Sequence, residues 1–255
     1  MIIRDEPTIE AAFRLENGIE VAEGPTVKPL KIVATDNEVL EAMLISTQGE
    51  EILNLWEQEG ITGIDGRLRF LMRNRHGTPF EHNMFRFYVK APISVFREFH
   101  RHRIGFSYNE QSGRYMELEG QFYVPSRDRP MKQSGKPGHY IMEPIEDEFY
   151  EQGMVVMIQS YNESYASYLK LLNLGWAKEV ARNVLPVGLY SSMYVTCNAR
   201  SLMSFLGLRT EHERAQFPSK PMFEIQQVAA AMEASLAVAM PITYQAFNDF
   251  GRVAP

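Results

Sequence analysis

An α+β fold is what this 255-residue sequence predicts. Segments with strand periodicity, alternating with short helices, lie between residues 30 and 125, whereas the second half reads almost entirely as helix. The length and a 45% hydrophobic content suit one sizeable domain, and neither an internal repeat nor a low-complexity tract divides it.

Residues 1–28 are mixed and polar, with Gly24-Pro25 as punctuation, and read as an N-terminal extension or edge element before a main domain over 29–250. Leu30 to Ala34 predicts a strand. Asp36 then suits the N-cap of a helix from Asn37 to about Gln48, with Val39, Leu40, Met43 and Leu44 apolar. A second helix spans Arg67 to Arg75. Thr78-Pro79-Phe80-Glu81 matches a capping box and marks a tight helical turn. From Asn83 to Ala91 the chain alternates, Phe85, Phe87, Val89 and Ala91 forming the apolar face of a half-buried strand that Pro92 ends.

Val95, Phe96, Phe99 and Ile104 follow helical spacing, so a helix from Ser94 to Ile104 is expected to carry Arg101-His102-Arg103. Gln121 to Pro125 reads as a short strand, and Ser126 to Pro144, rich in proline, glycine and charge, as a surface loop. A long helix follows from Glu146 to Leu174, with Phe149, Met157, Tyr161, Tyr165, Tyr168 and Leu172 on one stripe and Gly175 as the stop. Three more helices are expected: Ala177 to Val184, Asn198 to Leu208, and Met222 to about Phe250.

The chain carries a net charge of −6, yet Ser94 to Met116 holds four arginines against two glutamates, so basic charge is concentrated where an anion would bind. An acidic chain argues against a general nucleic-acid binder. No apolar run reaches membrane-span length, the first residues lack a signal-peptide pattern, and the single Cys197 has no internal disulfide partner, so a cytoplasmic protein is expected.

Guanidinium groups keep their charge and grip phosphate in bidentate fashion, which gives Arg97, Arg101, Arg103 and Arg114 a functional reading. The plain alternative is a solvated helix face with structural ion pairs. His76, His82, His100 and His102 do not read as a metal site: no His-Glu-x-x-His pattern occurs, and neighbouring arginines repel cations. Cys197 lacks an activating neighbour and reads as a buried structural thiol. Neither a dinucleotide-fold glycine motif nor a P-loop is present.

Taken together, Arg101-His102-Arg103, Ser112-Gly113-Arg114-Tyr115 and the preceding His76-x-Thr78-Pro79-Phe80-Glu81-His82 closely resemble the flavin-dependent thymidylate synthases. The resemblance continues through Glu179 to Pro186, Asn198 to Leu202, Leu208-Arg209 and Glu224 to Gln227. It implies a single α+β domain with a central, mostly antiparallel sheet flanked by helices, assembled as a homotetramer with sites shared between subunits. It also implies FAD as cofactor, NADPH as reductant, and 5,10-methylenetetrahydrofolate as the carbon donor that converts dUMP to dTMP and leaves as tetrahydrofolate. No enzymic nucleophile is required, which agrees with Cys197.

By the same resemblance Ser112, Arg209 and His76 are the catalytic residues. Glu98, Arg101, Glu110, Gln111, Ser112, Gly113, Arg114, Arg182 and Arg209 would hold dUMP, with Arg182 and Arg209 reaching in from a neighbouring subunit. Ser46, His76, Thr78, Glu81, Arg101, His102, Arg103, Ile104, Asn198, Arg200, Ser204 and Leu208 would hold FAD, with His102 and Arg103 nearest the isoalloxazine.

Three positions depart from the family pattern. Ile104 to Gln111 is one residue longer than usual, with the extra residue near Gly105-Phe106. Ser204 stands where a larger asparagine or histidine is common, and an insertion after Arg209 shifts His212, which is left unassigned. Two other readings remain: a related flavoprotein acting on another pyrimidine nucleotide, for instance by hydroxymethylation, or a non-catalytic nucleotide- or RNA-binding protein.

Overall fold

The computed structural model describes residues 8–49, 63–136 and 139–255. In chain order the strands are β1 (Arg14–Glu16), β2 (Ile19–Ala22), β3 (Thr26–Val33), β4 (Met84–Pro92), β5 (Phe106–Glu110), β6 (Gln121–Tyr123), β7 (Lys132–Lys136), β8 (His139–Glu143) and β9 (Tyr190–Cys197). The helices are α1 (Asp36–Gln48), α2 (Ile64–Arg73), α3 (Ile93–Phe99), α4 (Asp147–Asn173), α5 (Lys178–Ala181), α6 (Ala199–Arg209), α7 (Phe223–Ala239) and α8 (Pro241–Asp249), with 3-10 turns at Thr78–Glu81 and Arg182–Val184. No single helix among the described residues is long and apolar enough to cross a membrane.

A four-stranded antiparallel sheet, ordered β3-β4-β9-β5, carries the main core. Phe85, Phe87, Val89 and Ala91 of β4 are fully buried, as the alternation predicts. They meet apolar faces of α1, α2, α6 and α7 in one continuous cluster. A smaller sheet, β1-β2-β6, packs with α4 around Val21, Phe122 and Tyr161. Only its β2–β6 pair is parallel, so the architecture is α+β and mostly antiparallel. The first 28 residues supply β1, at the edge of the smaller sheet, and β2, its central strand, whose Ile19, Val21 and Ala22 are buried, and the strand expected from Leu30 already begins at Thr26; residues 1–7 lie outside the described part.

Several sequence expectations need correction. Thr35, not Asp36, caps α1: its side chain accepts from the Glu38 amide while Glu38 bonds back to the Thr35 amide. Thr78 makes no capping box. The turn forms with Gly77 in the cap position and no side-chain cap bond, because Glu81 is turned toward Arg200. The helix expected to run to Ile104 stops at Phe99, where the apolar face ends and Tyr108 captures the Phe99 carbonyl. Ile104 is accordingly 91% exposed.

Within Ser126 to Pro144 the strands β7 and β8 form an antiparallel hairpin; the rest of that expectation includes residues 137–138, outside the described part. Phe149 lies off the buried stripe of α4, while Tyr161 and Tyr168 lie on it. Gly175, at φ +83, does end this helix: its amide bonds to Leu172 O and that of Trp176 to Leu171 O, the double contact of a Schellman cap. The single helix expected from Met222 to Phe250 is two, bent by 120°. Pro241 disfavours helical backbone at Met240, which sits at φ −136.

Strands β5 and β9 escaped the periodicity reading. In β9 the signal was present, with Met193, Val195 and Cys197 inward and Tyr194 exposed between them.

Candidate functional site

Strand β5 organises the site because it separates two polar clusters. It is an edge strand, in register with β9 from Phe106 opposite Cys197 to Glu110 opposite Met193. The Arg101-His102-Arg103 turn leads into it. Glu110 is its last residue, and Gln111 to Arg114 follow directly.

At the leading end Tyr108 ties the turn together. Its hydroxyl lies 2.9 Å from Phe99 O and 2.8 Å from His102 O, and its ring stacks on Phe106 with centroids 5.7 Å apart. His102 rests edge-on against Phe205, 4.9 Å between centroids. Arg209, at the end of α6, donates from Nε to His102 Nε2 at 3.0 Å and pairs through Nη1 with Glu98 Oε2 at 2.6 Å. Burial, then the charges of Arg209 and Arg101, lower the His102 pKa to about 4. The imidazole is therefore neutral at working pH, with its proton on Nδ1. Arg101 and Arg103 are exposed and have no carboxylate partner among the described residues.

Gly105 makes the left-handed turn that leads this segment into β5. Its φ is +67, and a Cβ there would stand 2.0 Å from Ser201 Oγ and 3.1 Å from Asn198 Nδ2. Phe106 then joins β5 and the aromatic group around Phe205. The pairing with β9 continues past the end of β5, the Gln111 amide bonding to Ser192 O at 2.8 Å.

At the trailing end Ser192 Oγ donates to Gln111 Oε1 at 3.1 Å, and Ser191 Oγ to Glu110 Oε1 at 2.8 Å. Ser112 Oγ accepts the Arg114 amide, and Arg114 Nε pairs with Glu179 Oε2 at 3.0 Å. Gly113 is buried under Arg182, whose Cδ would lie 3.3 Å from an added Cβ. Arg182 thus lies beside Gly113 within its own chain, together with Leu118, whose Cδ1 would stand 2.8 Å from the same Cβ. Arg209 sits with Glu98 and His102 at the other end of β5.

A third group joins the leading end through α6. Asn198 caps this helix by accepting from the Ser201 amide at 2.9 Å. Arg200, Ser204 and Leu208 follow at helical spacing, with Ser204 and Leu208 exposed. Arg200 Nη1 pairs with Glu81 of the 78–81 turn, which also carries the exposed Thr78. His76 is exposed and stacks on Phe70, centroids 5.7 Å apart. Ser46 is exposed in the last turn of α1, a helix packed against the 78–81 turn. Thus His76 immediately precedes Gly77, whose added Cβ would meet Arg200.

Tyr108 and Glu179 were missed as site residues. Tyr108 lay within the Ser-Tyr-Asn-Glu run, but only the path of β5 aims its hydroxyl at two carbonyls. Cys197 is buried, and burial pushes its thiol far above the ordinary cysteine range.

Fold and site define an α+β protein with fixed cations suited to anions, neutral donors beside them, and a buried, unactivated Cys197. The family model described as "Thymidylate synthase complementing protein" matches residues 31–242. A flavin-dependent thymidylate synthase of Streptomyces coelicolor is 52% identical over 237 residues, 93% of this chain and 96% of that protein. One from Streptomyces avermitilis is 53% identical over 232 residues, 90% of this chain and 93% of its own length. Among solved structures, the UMP/dUMP methylase PolB from Streptomyces cacaoi, bound with 5-Br UMP, superposes with a TM-score of 0.85 at 42% identity, covering 93% of this chain and 99% of that one. The chain belongs to the flavin-dependent thymidylate synthases, a family of methyl-transferring flavoenzymes.

Proposed function

We propose that this chain converts dUMP to dTMP, taking the carbon from 5,10-methylenetetrahydrofolate and releasing tetrahydrofolate, with FAD as the flavin and NADPH as its reductant. The observation that carries the reading is the pair of polar clusters at opposite ends of β5, matched residue by residue to the family's motifs. The donor set fits a flavin nucleotide: unpaired Arg101 and Arg103 suit a pyrophosphate, while His102, Thr78 and Asn198 offer neutral polar groups. When bound and reduced, the flavin would supply the hydride that completes the methyl group.

The chain's own residues bind and polarise. Arg114 and Arg182 hold the nucleotide beside Ser112, and Arg209 with Glu98 completes the pocket from the other cluster. Arginines aimed at the uracil carbonyls stabilise negative charge as C5 becomes nucleophilic. Neutral His102 offers its Nδ1 proton as a hydrogen-bond donor. A covalent enzyme nucleophile is not needed, in keeping with a buried, protonated Cys197.

The family resemblance supports a homotetramer with sites shared between subunits. The four steps along β5, about 3.3 Å each, set its two polar ends about 13 Å apart. Exposed Val155, Val156, Leu174 and Trp176, on and just beyond α4, offer an apolar surface for contact between subunits. The cytoplasm is the compartment expected for such a reaction.

The test is tritium release from C5-labelled dUMP with added FAD, NADPH and methylenetetrahydrofolate, with both products identified by mass and UMP run in parallel. Release with dTMP and tetrahydrofolate is the expected result. Flavin binding without release would overturn it.

A further inference from the structure

We propose that the C-terminal segment Gly251–Pro255 is a positioning element of the flavin cluster, holding Arg200 and the turn that carries His76 in their binding arrangement. The proposal rests on the flavin reading above and concerns residues beyond the 31–242 family match.

The segment is anchored before it reaches the site. Arg252, 3% exposed, donates from Nη1 to Glu233 Oε1 and Asn248 Oδ1, each at 2.6 Å, and from Nη2 to Thr210 Oγ1 at 2.7 Å. Its backbone takes φ +55, a conformation that needs such anchoring. Gly207 of α6 admits the Arg252 carbonyl: a Cβ at that glycine would stand 2.7 Å from the oxygen. The Gln216 amide adds a bond to Gly251 O at 2.9 Å.

Beyond this anchor the last residues meet the flavin cluster. Val253 O accepts from Arg75 Nη1 at 2.5 Å, and Pro255 O from Arg200 Nε at 2.6 Å. Gly77 makes room for both partners, since its Cβ would stand 2.5 Å from Arg200 Cζ and 2.7 Å from Pro255 O. His76 lies between the two tethered positions. Arg200 is thereby held by the tail on one side and Glu81 on the other, and Nη2 has no partner among the described residues. A free arginine side chain must lose its rotamer freedom when it binds an anion; here that ordering is complete beforehand.

The segment divides into a buried anchor, which supports the fold, and three terminal residues, which touch the site. That division makes the role testable. FAD dissociation constants would be measured by flavin fluorescence for the intact chain, for removal of Val253, Ala254 and Pro255, for Gly77→Ala, and for both changes together. Gly77 has φ −81, so alanine fits its backbone and acts only as a wedge between Arg200 and Pro255. Each single change should weaken FAD binding about tenfold, the scale of one fixed charge-assisted hydrogen bond. Combined, they should weaken it no more than the worse one alone, because both break the same contact.

FAD affinity within about twofold of the intact chain for both single changes, or losses that multiply, would overturn the proposal. If the shortened chain does not fold, Gly77→Ala decides alone: an unchanged affinity overturns it. An intact chain that binds no FAD would instead overturn the parent reading. Amide exchange over residues 76–81 in flavin-free protein then tests the tether itself, and faster exchange on tail removal supports it.

Discussion

Arg209 donates to His102 across 107 positions of sequence, Nε to Nε2 at 3.0 Å, and in doing so fixes the proton of the imidazole on Nδ1. Glu98 neutralises the arginine from its other side. Burial and two neighbouring guanidinium groups bring the His102 pKa from 6.5 to about 4. The unfolded chain takes up this proton near pH 6.5 and the folded chain only near pH 4, so His102 leaves stability intact above pH 6.5 and lowers it as pH falls toward 4. Imidazole NMR should find the Nδ1–H tautomer, still neutral at about pH 6. Replacing Arg209 by leucine should raise the pKa; titration near 6.5 in the unaltered chain would contradict this account.

Subunit mixing follows from the two ends of β5. Ser112→Ala and Arg209→Ala, each inactive alone, should restore activity when subunits exchange, since one hybrid site then escapes both changes. Ser112→Ala mixed with Arg182→Ala should recover less, because Arg182 packs over Gly113 in the same chain. Equal recovery from the two mixtures, with exchange verified by mass, would refute this division.

Tyr108→Phe tests the brace under the Arg101-His102-Arg103 turn. Losing the hydroxyl strips its bonds from the His102 carbonyl and from the Phe99 carbonyl, which keeps the His102 amide, and should cost about 1 kcal/mol in urea unfolding. FAD affinity should fall with it, although Tyr108 is not among the flavin residues. A stability loss with unchanged flavin binding would confine the tyrosine to a packing role.

Asp36 acts far from its own helix. Its carboxylate accepts from the amides of Ile242 and Thr243, both at 2.9 Å, and from Thr243 Oγ1 at 2.6 Å, capping α8. Asp36→Ala should destabilise the protein by about 2 kcal/mol, and Asp36→Asn by less, in thermal or urea unfolding. Loss below about 0.5 kcal/mol for alanine would refute the capping role.

Gly105 sits at a tight, left-handed turn before β5. Alanine there would face both the φ of +67 and Ser201 Oγ at 2.0 Å, so Gly105→Ala should displace Arg103 and weaken FAD binding measurably by fluorescence titration. Intact flavin affinity in a folded Gly105→Ala protein would contradict this.

What the sequence determined by itself was local. The alternation of β4, the helical stripe of α1, the Gly175 stop and the Ser112 to Tyr115 run depend on neighbours within a few positions, where side-chain period and backbone preference act directly. The residue types needed for an anion and a flavin were legible for the same reason. Long-range partnership was decided only by tertiary structure: Asp36 serving a helix 206 residues away, Arg209 engaging Glu98, Arg182 packing beside Gly113, and the carbonyls of Val253 and Pro255 closing on Arg75 and Arg200. Such pairings depend on which surfaces the sheet and helices bury together, and a buried polar group takes whichever partner that packing brings within reach.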